Sequence, residues 1–113
     1  MGSHVMIFTG LDELQRGLIE RSNLEAAKGE VAKHGSRLQT QAQKNAPVDT
    51  GTLMRSIGLS IEDGGLTADV EATAHYAGYV ELGTRFMAAQ PYMKPAFNQV
   101  KGKFNSDLKR LVK

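Results

Sequence analysis

Hydrophobic residues in the first half of the chain recur every three or four positions, the spacing of one face of an amphipathic helix. The stripe consists of Leu11, Leu14, Leu18, Leu24, Ala27, Val31, His34, Leu38 and Ala42. A capping sequence that begins at Ser22 interrupts it, so either one long N-terminal helix is jogged near Ser22 or two helices abut there. Pro47 ends the helical segment near Asn45, because proline disfavours the helical conformation of the residue before it.

The period changes to two in the next part of the chain, where apolar and polar residues alternate over 57–63 and 66–73. This alternation, with Gly64 and Gly65 between the two runs, predicts an antiparallel β-hairpin. A two-residue turn pairs Ile57 with Ala72, Leu59 with Val70, Ile61 with Ala68, Ser60 with Asp69 and Glu62 with Thr67. A slip by one residue would set apolar positions against polar ones, so the pattern favours this register. A longer turn that includes Asp63 is the alternative.

Three further elements complete a small α+β fold. The segment 75–83 is predicted to be a short helix, with Gly83 suited to the left-handed conformation that ends many helices. Residues 84–94 lack any period and are predicted to form a loop. A C-terminal helix is predicted over 95–112, with Pro95 in its first position. Its apolar stripe is Phe97, Val100, Phe104, Leu108 and Leu111.

The composition is that of one small globular domain, because 41% of the 113 residues are hydrophobic and 23% are charged. We expect this domain to span residues 6–113, whereas residues 1–5 resemble an expression-vector remnant and are set aside. The absence of cysteine excludes disulfides, thiolate metal sites and cysteine nucleophiles. No apolar run approaches the roughly 18–20 residues of a membrane span, and no secretory signal is found. We therefore expect synthesis in the cytoplasm and no membrane partner.

Charge is unevenly distributed along the chain. Residues 94–113 contain six basic residues against Asp107 alone, a net charge of +5, whereas residues 49–81 contain six acidic residues against Arg55 alone, a net charge of −5. This split indicates electrostatic complementarity to partners or to copies of the chain itself. The basic helix leaves sequence-independent DNA binding open as an alternative of a different class. Its apolar stripe equally makes those lysines the outer side of a packed helix.

Candidate chemistry is limited to one tripeptide. Asp49, Thr50 and Gly51 match the motif that carries the catalytic aspartate of aspartic proteases. In that class the motif ends a buried strand of an almost all-β chain, whereas here it follows Pro47 and a long helix, so we interpret it as a turn. The three histidines are far apart, and no metal-binding or phosphate-binding motif is present. The sequence therefore predicts a protein that is not an enzyme and holds no cofactor or metal.

The stretch 76–95 is unusual in its residue types. It contains four of the seven aromatic residues, and its large side chains are Tyr76, Tyr79, Arg85, Phe86, Met87, Gln90, Tyr92 and Met93. Tyrosine, methionine and arginine are enriched at protein interfaces. We therefore predict that the loop 84–94 is an assembly interface. Glu81 and Arg85, four residues apart, are expected to pair across the end of the short helix.

Two sequence blocks carry a family resemblance. The first is Asn45-Ala46-Pro47-Val48-Asp49-Thr50-Gly51-x-Leu53-x-Arg55-Ser56-Ile57. The second is Tyr76-Ala77-x-Tyr79-Val80-Glu81-x-Gly83-Thr84-Arg85, continuing as Met87-x-Ala89-Gln90-Pro91-Tyr92-Met93-Lys94-Pro95-Ala96. Together, with the hairpin between them, they resemble the head–tail joining (neck, or tail component) protein family of long-tailed bacteriophages and prophages. The resemblance extends from about Gly10 to the last helix.

This resemblance implies a non-enzymatic structural protein in the connector between the DNA-filled capsid and the tail of the virion. The implied assembly is a ring, so the implied partners are copies of this chain, neighbouring connector and tail proteins, and DNA that passes through the lumen without specific recognition. A tail-completion or tail-terminator protein of the same machine is the nearest alternative. We add the hypothesis that the acidic strand residues Glu62, Asp69 and Glu71 line the lumen and repel the passing DNA.

The resemblance also assigns residues to roles. The motif turn is Asp49, Thr50 and Gly51, and the implied assembly interface is Tyr76, Tyr79, Glu81, Gly83, Thr84, Arg85, Met87, Gln90, Pro91, Tyr92, Met93 and Pro95. Gly51 and Gly83 are expected to serve backbone geometry, and Glu81 is expected to anchor the loop that follows it. Arg85 and residues 87–93 are expected to pack on a neighbouring subunit or on the next ring.

Overall fold

The chain forms the predicted α+β fold, and the computed structural model describes residues 4–47 and 51–112. The strands are β1 (His4–Thr9), β2 (Ile57–Glu62) and β3 (Thr67–Ala72). The helices are α1 (Leu11–Gln15), α2 (Leu24–Asn45), α3 (Thr52–Ser56), α4 (Ala77–Leu82) and α5 (Met93–Lys109). Two 3₁₀ turns lie at Arg21–Asn23 and Asp63–Gly65. The long helix, the hairpin, the short helix and the terminal helix of the sequence prediction are all present.

The N-terminal helical region consists of two separate helices. α1 ends at Gln15, and Gly17 follows with a φ of 73°, a left-handed conformation that interrupts helical hydrogen bonding and that glycine adopts without strain. Ile19 then forms an isolated bridge with Val112 before the chain enters α2. α2 ends at Asn45, as predicted, because the next residue turns to an extended conformation before Pro47.

The hairpin register predicted from the sequence is confirmed. All five predicted pairs between β2 and β3 are present, from Ile57 opposite Ala72 to Glu62 opposite Thr67. The turn is the longer alternative, because Asp63 leaves the strand with a φ of 53° and opens a 3₁₀ turn through Gly65. β2 therefore ends at residue 62, one residue before its predicted end. β3 spans 67–72 and is one residue shorter at each end than the predicted 66–73.

A third strand, β1, extends the hairpin to a sheet of order β1-β3-β2. It is antiparallel to β3, with Phe8 opposite Ala68 and Val5 opposite Glu71. This strand was not predicted, because residues 1–5 resemble a vector remnant and only a short apolar run follows them. β1 begins at His4, so two of the residues set aside belong to the sheet.

The core lies between one face of the sheet and the helices α2 and α5, which also pack on each other. The Phe8 ring of β1 stacks on Phe97 and Phe104 of α5, with ring centroids 5.0 and 4.7 Å apart. Gly35 allows α2 to approach the sheet closely, because a Cβ at that position would lie 2.7 Å from the Cβ of Ala68. The opposite face of the sheet remains accessible to solvent.

The last elements differ from the prediction at their ends. α4 spans 77–82, shorter than 75–83, and the intervening loop spans 83–92. α5 begins at Met93, two residues before Pro95, and ends at Lys109 rather than at 112. Proline is tolerated there because the backbone N–H groups of the first helical turn have no partner within the helix. The earlier start of α5 has a side-chain cause in Glu81, described below.

Candidate functional site

The two sequence blocks meet in space at the ends of α2 and α5. The Asn45 side chain of the first block donates a hydrogen bond to the Tyr92 carbonyl of the second, with an N–O distance of 3.2 Å. Between the blocks lies an open groove of about 450 Å³, lined by Pro47, Thr52, Leu53, Tyr76, Val80, Met87 and Gln90. The structure therefore brings residues of both blocks around one depression.

The motif turn is described only in part. Asp49 and Thr50 lie outside the described residues. Gly51 immediately precedes α3 with a φ of 73° and a ψ of −4°, the left-handed conformation in which glycine avoids the steric cost of a Cβ. Leu53 of α3 is buried against the core.

Glu81 caps the N-terminus of α5 from a distance in sequence. Its side chain is buried, and its two carboxylate oxygens accept hydrogen bonds from three backbone N–H groups. Oε1 accepts from Tyr92 at 3.1 Å and from Met93 at 2.8 Å, while Oε2 accepts from Lys94 at 3.1 Å. These N–H groups have no partner within a helix, and the helix dipole favours a negative charge beside them. Glu81 therefore ties the end of α4 to the start of α5 and closes the loop between them.

Three residues expected at the interface lie inside the subunit. Glu81, Tyr92 and Met93 are all buried within the subunit. The Tyr92 hydroxyl donates a hydrogen bond to the Ala77 carbonyl at 3.0 Å. Burial, and secondarily the charge of Glu81 and the neighbouring Tyr76, raise the pKa of the Tyr92 phenol far above its usual value. These residues shape the loop from within.

The loop carries an ordered turn, which we call the tip (residues 84–87). Thr84 and Met87 bridge each other through two backbone hydrogen bonds of 2.9 and 3.3 Å, and the Thr84 hydroxyl accepts from the Phe86 N–H at 3.1 Å. The Phe86 ring is 86% exposed. The Arg85 guanidinium carbon lies 4.8 Å from the Phe86 ring centroid, a cation–π contact. The tip thus presents an arginine and an aromatic ring on a hydrogen-bonded backbone.

The contacts around the tip show that the expected Glu81–Arg85 ion pair is absent from the described residues, and they explain why position 83 is a glycine. Glu81 and Arg85, both in the described part of the chain, form no ion pair, because the Glu81 carboxylate faces the start of α5 instead. Gly83 has a φ of 77°, and a Cβ there would lie only 2.8 Å from the Ala89 backbone nitrogen. The loop folds back closely on Gly83, and the Gln90 N–H donates to the Val80 carbonyl at 2.8 Å.

The remaining expected interface residues are mostly accessible. Thr84, Arg85, Met87, Gln90, Pro91 and Tyr79 are exposed, whereas Tyr76 and Pro95 are half-buried. Leu82, with 60% exposure, belongs to the same surface but was not among the residues expected there, whereas Phe86 lies in the loop 84–94 that was predicted to be an interface. Their exposure depends on how the chain folds around Glu81, which the sequence does not reveal. Large exposed apolar side chains that lie close together along the chain are typical of interaction surfaces.

A cluster of charged and polar side chains joins α2 to α5 inside the subunit. It was not predicted from the sequence. His34 is completely buried, and its Nε2 lies 2.9 Å from Oδ2 of Asp107, which is also buried. The hydrogen bond to His34, with Lys103 and Lys33 nearby, lowers the pKa of Asp107 despite the opposing effect of burial. His34 occupies a position on the apolar stripe of α2, and this was the signal that the sequence offered.

The same cluster offers donor atoms to a metal ion. Ligand atoms of Glu30, His34 and Asp107 lie within 4.8 Å of one another. However, the Lys33 ammonium already lies 3.7 Å from Glu30 and 3.6 Å from Asp107, and Lys103 lies 3.4 Å from Asp107. These protein cations supply the charge that a metal would bring, so the arrangement is best explained as an ion-pair network around the buried Asp107.

A third feature is an acidic groove on the solvent-accessible face of the sheet. It has a volume of about 310 Å³ and is lined by Gly58, Leu59, Ser60, Glu62, Asp69, Glu71 and Thr73. Partial burial, followed by the nearby charges of Glu62 and Glu71, raises the pKa of Asp69. The β1 residues Val5 and Ile7, 38% and 47% exposed, lie on the same face opposite Glu71 and Asp69. We call the carboxylate-lined part of this surface the acidic groove.

The profile of the family described as "Bacteriophage HK97-gp10, putative tail-component" matches residues 11–83, well over half of the chain. The chain therefore belongs to this family of phage structural proteins, and the resemblance inferred from the two blocks is confirmed. Comparisons with curated proteins and with solved structures found no match.

Membership of this family indicates a structural component of the phage particle and not an enzyme. The matched region includes the hairpin and α4 and ends at Gly83, so the tip and α5 lie beyond it. Within the described ranges, no helix combines the length and the apolar character needed to cross a membrane.

Proposed function

We propose that the chain is a non-enzymatic subunit of the phage head–tail connector and that copies of it form a ring joining the DNA-filled capsid to the tail. The observation that carries this proposal is the exposed tip. Phe86 projects into solvent although the loop that bears it is held by backbone hydrogen bonds and by Glu81. An ordered loop that exposes a large aromatic ring is suited to burial against another protein.

A ring is supported by the position of different surfaces on one subunit. Closed rings of identical chains use heterologous contacts, in which one patch meets a different patch of the next copy. The tip presents Arg85 and Phe86, whereas the sheet presents carboxylates around Asp69. Two unlike surfaces with complementary chemistry meet this requirement.

The ring would let DNA pass without specific recognition. The alternative of a DNA-binding protein rested on the basic residues of the terminal helix. Two of them, Lys103 and Arg110, lie 3.4 and 3.6 Å from the buried Asp107 carboxylate. Their charge is thus partly compensated within the subunit, which favours a structural role for α5.

We infer location in the virion after synthesis in the host cytoplasm, in contact with neighbouring connector and tail proteins.

A tail-completion or tail-terminator ring is a second candidate, favoured by the family description as a tail component. The two roles predict different binding. A connector ring contacts both the capsid portal and the tail, whereas a tail terminator contacts only the end of the tail tube until the particle is joined.

The test incubates purified protein with separated phage heads and separated tails, followed by electron microscopy. Annular particles bound to both heads and tails are expected for the connector, and binding to tails alone supports the tail terminator. Phe86→Ser is expected to abolish binding or ring formation without unfolding the subunit. Ile61→Ser, which changes an apolar residue with 45% exposure away from the tip, serves as the matched control. Failure to form rings and to bind either particle overturns the proposal.

A further inference from the structure

The acidic groove holds negative charge that the subunit does not compensate. Glu62, Asp69 and Glu71 line one depression, and among residues 4–47 and 51–112 none of the three carboxylates forms an ion pair. Oδ1 of Asp69 is shielded from solvent and accepts no hydrogen bond from the described residues. Burial, and secondarily the nearby charges of Glu62 and Glu71, raise the pKa of Asp69, so its ionised form is held at a cost in free energy. Such a groove is suited to receive a cation from outside the subunit.

The floor of the groove has room for a side chain. Gly58 lies opposite Glu71 in the β2–β3 ladder, and a Cβ placed on Gly58 would meet no atom within 4 Å. On the other side of β3, Val5 and Ile7 provide exposed apolar surface next to the carboxylates. The face therefore combines a negative depression with an apolar border.

The tip has the complementary features. Arg85 is exposed and has no carboxylate partner in the described part of the chain, and its guanidinium lies against the Phe86 ring. A guanidinium can donate several hydrogen bonds to carboxylates in fixed geometry, and it remains charged at any physiological pH. The 84–87 bridge restrains the backbone that carries both side chains, so little backbone freedom is lost when the tip binds.

We propose that the tip of one subunit docks on the sheet face of an adjacent copy, with Arg85 in the acidic groove and Phe86 on Val5 and Ile7. This assignment rests on the proposed ring and specifies its subunit contact. It replaces the hypothesis that the three carboxylates line the lumen, because the exposed apolar residues beside them are suited to contact protein and not passing DNA.

A groove beside Leu82 and the start of α5 is a less suitable docking site for Arg85, because its accessible charges are positive. That groove, of about 630 Å³, is lined by Met6, Glu81, Leu82, Pro91, Lys94, Phe97, Asn98 and Lys101. Its only carboxylate, Glu81, is already hydrogen-bonded to the backbone of α5, so its accessible charges are Lys94 and Lys101. These lysines would repel Arg85, whereas the acidic groove attracts it.

The first experiment measures assembly by sedimentation over a concentration series. Arg85→Glu is expected to raise the concentration needed for half-maximal assembly by at least about tenfold, because a carboxylate would then face three others. The double variant Arg85→Glu/Glu62→Arg restores an opposite-charge contact and is expected to recover most of the loss. Both residues are exposed, so folding is preserved. Lys44→Glu, an equal change of charge at an exposed site on α2, is the control.

A second experiment detects the contact even where assembly is weak. The chain has no cysteine, so single variants Phe86→Cys and Ile7→Cys can be mixed and oxidised without background reactions. A mixed disulfide dimer is expected, and a mixture of Phe86→Cys with Lys44→Cys should give none. Absence of the mixed Phe86–Ile7 dimer, or assembly of Arg85→Glu that equals the wild type, overturns the proposed contact.

The two experiments distinguish an error in the proposed tip-to-groove contact from an error in the proposed ring. If rings form but are insensitive to Arg85→Glu and give no mixed disulfide, the docking site is wrong and the ring remains. If the wild-type chain neither assembles nor forms the mixed disulfide, both proposals fail. A double variant that assembles no better than Arg85→Glu excludes direct complementarity between Arg85 and the acidic groove.

Discussion

The carboxylate of Glu81 accepts a hydrogen bond from the backbone N–H of Met93 at 2.8 Å, twelve residues further along the chain. Tyr92 and Lys94 donate to the same side chain, so one buried residue satisfies the start of α5. The loop between α4 and α5 is thereby closed, and the exposed tip is presented by a fixed base.

Replacing this carboxylate is expected to destabilise the subunit. Glu81→Ala leaves three buried or partly buried N–H groups without their acceptor, and we expect a loss of about 2–3 kcal/mol in the free energy of unfolding. Urea denaturation checks this value. Glu25→Ala removes a carboxylate that is 86% exposed and should change the stability by less than about 0.5 kcal/mol. Equal effects of the two substitutions would contradict the capping role.

Glycine at position 83 is expected to be required for the shape of the loop. Gly83→Ala introduces a Cβ at a φ of 77° and within 2.8 Å of the Ala89 nitrogen, so we expect a loss of about 2 kcal/mol or a displaced tip. Gly29→Ala is the matched control, because it lies within α2 with no atom near its added Cβ. That change should raise the stability by about 0.5–1 kcal/mol. Thermal unfolding of the two variants distinguishes a site-specific effect from a general one.

The ion pair between α2 and α5 predicts a loss of stability in acid. The hydrogen bond from His34 and the nearby lysines hold the pKa of Asp107 below its usual value of 3.8 in the folded state. The contribution of Asp107 is therefore fully present above that value and is lost as the pH falls through the lower folded pKa. Urea unfolding at a series of pH values below about 5 should show this decline. In Asp107→Asn, stability at neutral pH should be lower and the acid decline smaller; an unchanged decline would contradict the assignment.

In the acidic groove, the charge of Asp69 is expected to lower the stability of the isolated subunit and to favour assembly. Burial and the charges of Glu62 and Glu71 raise the pKa of Asp69, so its ionised form is less favourable in the folded subunit than in the unfolded chain. Asp69→Asn is therefore expected to raise the urea midpoint of the isolated subunit at neutral pH, with the gain shrinking as the pH falls to the range where Asp69 is protonated. The same variant should assemble less well. Ser60→Ala, on the same face, is the control, and a less stable Asp69→Asn subunit would contradict the account.

The sequence predicted the elements whose signals are local. Alternation and two glycines defined the β2–β3 pairing down to its register, because neighbouring strands and their turn lie within one short segment. β1 pairs with a strand some sixty residues away, and no local turn marks that pairing, so it was not predicted. Likewise the break between α1 and α2 was expected near Ser22, whereas the left-handed Gly17 ends the first helical segment earlier.

In the candidate site, too, the features with a local sequence signal were predicted and those that depend on distant contacts were not. The two sequence blocks located the loop, but the three-dimensional contacts decide which of its residues are accessible. Tyr92 and Met93 have the residue types of an interface and yet fill the core, whereas Phe86 is almost fully exposed. His34 was visible as a polar residue on an apolar stripe, but its pairing with Asp107 depends on how two distant helices pack.

The central claim is that copies of this chain assemble through unlike surfaces. Light scattering behind size exclusion, over a concentration series at low and high salt, tests it most directly. We predict one discrete species larger than a dimer, with a mass that is an integral multiple of 12.3 kDa and that dissociates as salt screens the Arg85 contact. A monomer at every concentration, or a strict dimer, would contradict the account.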